Sequence, residues 1–164
     1  MDVECTVNGR PVSLNIRPNE LAVDVLRDTL GFTGTKRSCD VEVCGVCTIL
    51  LDGRAVSSCT TLAAEFDGCE VLTVEGLAAE DGSLHPLQRS FLDHGALQCG
   101  FCTPGFLMTA CQLLADGVRD REELRQQLDG NICRCTGYAP IEEAVVAAAR
   151  RADPSGGTAS AVAG

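Results

Sequence analysis

CDVEVCGVCTILLDGRAVSSC, residues 39–59, carries four cysteines spaced C-x4-C-x2-C-x11-C. This is the plant-type spacing for the ligands of a [2Fe–2S] centre. Each iron of such a pair needs two thiolates, and a short loop can curl Cys39, Cys44 and Cys47 around one centre. Cys59 then arrives from a neighbouring strand: 48–51 is strand-like, Asp52-Gly53 is a hairpin turn and 55–58 returns. Gly45, beside Cys44, suits a tight loop with an amide close to a sulfur. Such amides stabilise the extra negative charge that arrives on reduction. Four cysteines can also form a structural zinc site, although zinc sites favour paired C-x2-C knuckles over this pattern.

Outward from this stretch the chain divides near residue 76. On the N-terminal side, Val3, Cys5 and Val7 alternate, Asn8-Gly9 marks a hairpin turn, and Val12, Leu14 and Ile16 alternate on the return. A helix follows, with Asn19 as N-cap, Leu21, Val25, Leu26 and Leu30 as its apolar stripe, and Gly31 as its stop. Residues 34–47 read as a long loop and 70–74 as a last strand. The expected product, over 1–76, is a small mixed sheet packed on one helix.

The second half, 77–152, reads as helical. One helix starts at Ser83 and Pro86 and runs to about Leu97; a second covers 104–115, closed by Asp116-Gly117. Asp120, with Glu123 three residues on, caps a third that ends at Asp129-Gly130, and 140–151 is an Ala-rich fourth. Short connections favour antiparallel neighbours, hence a four-helix bundle and an α+β chain. The Gly/Ser-rich stretch 153–164 is expected to be a flexible tail.

This half holds a second quartet, Cys99, Cys102, Cys133 and Cys135, spaced C-x2-C-x30-C-x-C. The first two lie in the turn between helices one and two, the others between helices three and four, and antiparallel hairpins bring both turns to one end of a bundle. By spacing alone zinc is a fair rival here; the first quartet in the same chain favours iron–sulfur. The remaining cysteines, Cys5, Cys69 and Cys111, read as buried small hydrophobes. Eleven cysteines in 164 residues point to metal or redox chemistry, because disulfides are rare in reducing compartments and the odd count and close spacing do not suit them.

A net charge of −10 argues against nucleic acid. No apolar run approaches the roughly 20 residues of a membrane span. The N-terminus lacks a basic-then-apolar layout, so the expected location is cytoplasmic. His85 and His94 read as surface or capping residues. Glu122-Glu123 and Glu142-Glu143 read as solvated faces, and Arg150-Arg151 suits a helix C-terminus. With no catalytic triad and no phosphate loop, the chain is expected to do no substrate chemistry of its own.

The texts GTKRSCDVEVCGVCTILLDG (34–53), VSSC (56–59), QCGFCTPG (98–105) and GNICRCTGY (130–138) resemble the small iron–sulfur subunit of the molybdenum hydroxylases, the xanthine dehydrogenase, aldehyde oxidoreductase and aerobic carbon monoxide dehydrogenase group. The resemblance spans about residues 1–152. It implies a β-grasp, plant-type [2Fe–2S] ferredoxin-like domain followed by a four-helix-bundle [2Fe–2S] domain. It further implies an electron path from a molybdenum–pterin centre on a large subunit, through the bundle centre and the ferredoxin-like centre, to FAD on a medium subunit. A dimer of heterotrimers is the implied assembly. Carried over, Gln98 and Cys135 approach the pterin. Two rival functions stand beside this one: a free-standing two-cluster ferredoxin carrier, and a zinc-stabilised or redox-sensing interaction module. The chain departs from the family pattern where Ser38 and Glu42 replace usual glycines and Val46 replaces Ala or Ser. These changes put the loop path in question, and a carboxylate at 42 is expected to lower the potential of the first centre if it approaches it. The substrate is not legible, because its pocket lies on another chain.

Overall fold

In the computed structural model, which describes residues 1–151, two hairpins and a crossover build the N-terminal half. β1 (Asp2–Val7) and β2 (Arg10–Asn15) pair antiparallel across Asn8-Gly9, with φ of 51° and 74°. Two successive left-handed residues make the type I′ turn whose twist matches a hairpin, and Asn-Gly adopts it at low cost. β3 (Thr48–Leu51) and β4 (Arg54–Ser57) repeat the device at Asp52-Gly53. β5 (Glu70–Leu72) lies between the hairpins, parallel to β1 and antiparallel to β3, giving the order β2-β1-β5-β3-β4. This is the mixed β-grasp sheet. β5 stops short of the expected Val74 because the Asn8 side chain claims the next residue, its Oδ1 accepting from the Thr73 amide at 2.8 Å.

The crossover helix departs from expectation at its start. α1 (Ala22–Asp24) widens at once into a π-helical turn, Val25–Thr29. Asn19 is not its cap: Leu21 holds that position and offers no side-chain acceptor. The Ala22 and Val23 amides donate instead to the Thr61 and Ser58 carbonyls at 2.9 and 3.0 Å. The first amides of a helix need acceptors, and the turn around Cys59 supplies them. Interior strand β3 is buried on both faces. Ile49 packs with Val3, Leu26, Phe66 and Val71, whereas Leu50 joins the core of the helical half.

Four helices form that half: α2 (Pro86–Asp93), α3 (Thr103–Ala115), α4 (Arg121–Leu128) and α5 (Tyr138–Arg151). Leu87, Phe91, Phe106, Met108, Leu124 and Val145 fill the bundle core. Small residues on α5 let α2 approach so closely that Ser90 Oγ donates to the Ala144 carbonyl at 2.7 Å. α2 ends at Asp93 rather than near Leu97. Gly95 turns left-handed (φ 60°) and the Ala96 amide reaches back to the Phe91 carbonyl at 2.9 Å, which is a Schellman closure. α5 begins two residues before Pro140, since proline is tolerated in a first turn. The two halves are joined through α3, where Gln112 Oε1 accepts from the Ala55 amide at 2.7 Å and covers the sheet edge. Among the described residues no helix is long and apolar enough to cross a membrane. The stretch expected to be a tail, 153–164, lies outside the described residues.

His85 caps α2: its Nδ1 accepts from the Leu87 amide at 3.2 Å, and Gln88 Oε1 accepts from the His85 amide at 2.9 Å. Burial pushes its pKa down. An unfolded chain therefore takes up a proton near pH 6.5 that the folded chain refuses. The cap's contribution is complete above that pH and is lost as pH falls towards the lower folded value. Thermal melts between about pH 7 and about pH 5.5 should show this loss. His85→Asn, which caps without titrating, should flatten the profile; an equal slope in the variant would rule the effect out.

Candidate metal centres

The first cysteine loop is pinned from outside. Arg37 pairs with Asp24 and with Asp40, the latter at 2.8 Å, and Arg27 Nη1 donates to the Thr33 and Thr35 carbonyls at 3.1 and 2.7 Å. Within it Cys39 is half-buried, while Cys44, Cys47 and Cys59 are buried. Cys47 and Cys59 pack in one buried cluster with Val23, and Cys44 is the cysteine that bears most on the Cys39 thiol. The Val41, Val43 and Cys44 amides face Cys39, that of Val43 at 3.4 Å, and hold its thiol down to about 6. Burial pushes Cys59 up to about 11 despite a Glu42 amide aimed at it. Glu42 keeps a left-handed backbone (φ 57°), so the loop follows a glycine-like path without the glycine, at a cost of about 1 kcal/mol. Its Oε2 accepts from Thr60 Oγ1 at 3.1 Å, which brings the carboxylate beside the residue that follows Cys59.

The second set gathers at one end of the bundle. Cys99 lies in the α2–α3 turn, Cys102 directly precedes α3, and Cys133 and Cys135 lie between α4 and α5. All four line one small cavity, where Cys133 bears most on the Cys102 thiol and Cys135 on that of Cys99. Burial pushes Cys102 up to about 12. Cys99 is exposed, and the Phe101 amide draws its thiol down. Cys133 is held twice: its amide donates to the Tyr138 hydroxyl at 2.9 Å, and its Sγ accepts from the Gly137 amide at 3.4 Å. Thr136, between the last cysteine and that glycine, sits at φ 58°, an uncommon place for a β-branched residue.

Four thiols to a set, with the Val43 amide directed at Cys39 and the Gly137 amide at Cys133, fit a two-iron centre. Of the other cysteines, Cys5 and Cys111 are buried in the two cores as expected. Cys69 is not: it is half-exposed ahead of β5, its thiol donating to the Glu65 carbonyl at 3.3 Å.

Gln98 is exposed beside Cys99, its Nε2 lying against Gly137. Gly45 is left-handed (φ 67°) and its carbonyl accepts from Thr48 Oγ1 at 2.7 Å and Asn131 Nδ2 at 3.0 Å. A cleft of about 230 Å³ between the sets is bordered by Ser38, Cys44 and Val46 on one side and Phe101, Ile132 and Arg134 on the other. Sequence reasoning missed Asn131, Gly105 and Tyr138. All three stood inside the motif texts, but Asn131 and Gly105 meet a partner some 60 or more residues away, and the Tyr138 hydroxyl reaches back to the Cys133 amide only through the turn between them.

Residues 5–78 match the family model of the 2Fe-2S iron-sulfur cluster binding domain, and 73–146 that of the [2Fe-2S] binding domain. The chain is 50% identical to the nicotine 6-hydroxylase small subunit of Paenarthrobacter nicotinovorans, over 89% of this chain and 88% of that one. It is 43% identical to the xanthine dehydrogenase iron-sulfur-binding subunit of Escherichia coli O157:H7, over 88% and 91%. The crystal structure of quinoline 2-oxidoreductase from Pseudomonas putida 86 superposes with a TM-score of 0.87 at 46% identity, covering 93% of this chain and 95% of that one. With two [2Fe–2S]-binding domains in this order and relatives matched almost end to end, the chain belongs to the small iron–sulfur subunits of the molybdenum hydroxylase (xanthine dehydrogenase and aldehyde oxidoreductase) family.

Proposed function

We propose that Cys39, Cys44, Cys47 and Cys59, in a unit spanning 1–76, hold one [2Fe–2S] centre, and that Cys99, Cys102, Cys133 and Cys135, in a unit spanning 77–152, hold the other. The observation that carries this reading is the gathering of the cysteines: Cys99, Cys102, Cys133 and Cys135 line one small cavity, Cys47 and Cys59 share one buried cluster, and backbone amides are directed at Cys39 and Cys133. When bound, such a centre supplies reversible one-electron chemistry at thiolate-bound iron. The chain then serves as the relay of a cytoplasmic molybdenum hydroxylase. Electrons from a molybdenum–pterin centre on a large subunit enter at the bundle set, pass to the N-terminal set and leave for FAD on a medium subunit, in a dimer of heterotrimers. The protein's own contribution is placement. Exposed Cys99 and Gln98 and half-exposed Cys135 form an accessible mouth suited to the pterin side. Half-exposed Cys39, with Val41 and Val43 bare beside it, forms the mouth of the other set.

Anaerobic purification from the native host tests this. Iron and sulfide in equal amounts, two distinct [2Fe–2S] signals in electron paramagnetic resonance, and copurifying molybdenum and flavin subunits are expected. Zinc without sulfide would overturn the assignment, and a chain with both signals but no copurifying subunits would be a free-standing carrier. Within this reading the Glu42 carboxylate disfavours an added electron on the first centre. Glu42→Gln and Glu42→Gly should both raise that centre's potential in a redox titration and leave the other unmoved; unchanged potentials in both would dismiss the effect.

A further inference from the structure

The loops that carry the two cysteine sets are locked together by a contact that neither set needs for holding iron. Asn131 is buried, 3% exposed, and its Nδ2 crosses the junction of the halves to the Gly45 carbonyl at 3.0 Å. Beside it the Ile132 amide donates to the Cys44 carbonyl at 2.9 Å. Ile132 precedes Cys133, so a single backbone hydrogen bond joins a cysteine of one set to the neighbour of a cysteine of the other. Two glycines clear the space. A Cβ on Gly45 would lie 2.4 Å from Asn131 Nδ2 and 2.7 Å from the Gly130 carbonyl; one on Gly105 would lie 2.1 Å from the Gly45 carbonyl. Segments 44–46, 130–132 and the start of α3 thus meet backbone to backbone, with the Asn131 side chain seated among them.

We infer that Asn131, seated between Gly45 and Gly105, is a positioning residue that fixes the bridge between Cys44 and Cys133 and thereby sets the electronic coupling of the two centres. The inference rests on the eight-cysteine assignment proposed above. An electron crossing the bridge oxidises one centre by one electron and reduces the other by one; no bond breaks and no proton has to move. Geometry is then the quantity this chain controls. Asn131 also has a local role, its backbone amide closing the end of α4 on the Leu128 carbonyl at 2.9 Å. That role belongs to the main chain and survives a change of side chain. Asn131→Asp keeps the size and the turn preference but replaces the amide donor with an oxygen facing the Gly45 carbonyl.

The test uses the full chain carrying both centres. Spin–spin splitting between the two signals of the fully reduced chain reports their coupling, and pulse radiolysis of the oxidised chain, which delivers one electron, reports the rate of its transfer between them. In Asn131→Asp both signals and the iron content should persist, with the splitting narrowed or lost and transfer slowed. Ile132→Ala, which removes an exposed side chain and keeps the bridging amide, should match the unaltered chain. Should Asn131→Asp fail to load, Asn131→Ser is read in the same way. Wild-type splitting and rate in a loaded Asn131 variant would overturn the inference. So would an unaltered chain with both signals and no splitting, without recourse to any variant. An unaltered chain lacking the two signals would instead sink the cysteine assignment.

Discussion

Cys102→Ser is expected to halve the iron and sulfide of the chain, abolishing one paramagnetic signal and sparing the other. Cys102 is buried at the foot of α3 against Cys133, and burial, with Cys133 beside it, pushes its thiol up to about 12. Only a bound metal offsets the cost of a thiolate in such a place. A serine hydroxyl ionises less readily still, so no substitute ligand remains at that position. The N-terminal set draws none of its sulfurs from the bundle and should retain its centre. Cys69→Ser is the matched control: that thiol donates to a carbonyl outside both sets, and iron content should not change. Full iron in Cys102→Ser, or loss of both signals together, would contradict the division into two independent quartets.

Gly105→Ala should be among the most destabilising single-methyl changes in the chain. The added Cβ would meet the Gly45 carbonyl oxygen at 2.1 Å and Val46 Cα at 2.9 Å. Both opposing atoms are backbone, held by the Cys44 and Asn131 hydrogen bonds, so no rotamer change relieves the overlap. Overpacking of this kind costs about 3 kcal/mol, or about 10 °C in melting temperature for a chain of this size. Gly130→Ala supplies the contrast: its Cβ would find nothing nearer than the Gln127 carbonyl at 4.0 Å, and its melt should be close to that of the unaltered chain. Equal melting temperatures for the two variants would mean that α3 and the Gly45 loop part more easily than their packing implies.

Much of the site was legible because the information is local. Cys39, Cys44 and Cys47 lie within one loop, and Asn8-Gly9 and Asp52-Gly53 announce hairpins through conformations those residues favour on their own. The helix ends were less legible, and for a common reason. Asn19 looked like a cap by residue type, yet the carbonyls of Ser58 and Thr61 capped the helix two residues later. Gly95 ended α2 early through a Schellman closure that the apolar pattern running on to Leu97 concealed. At Glu42 a departure from glycine looked like a change of path; the loop around it imposes a left-handed backbone whatever the side chain.

By itself the sequence determined that this protein has two cysteine quartets, a sheet half and a helical half, and membership of one family, because ligand spacing and turn chemistry act over a few residues. Only the tertiary structure decided that Cys99, Cys102, Cys133 and Cys135 line one cavity, and that Gly45 and Asn131, 86 residues apart, meet between the two sets. Gathering and docking depend on which surfaces close against each other. A glycine needed for close approach carries no mark in the sequence that tells it from a glycine needed for a turn.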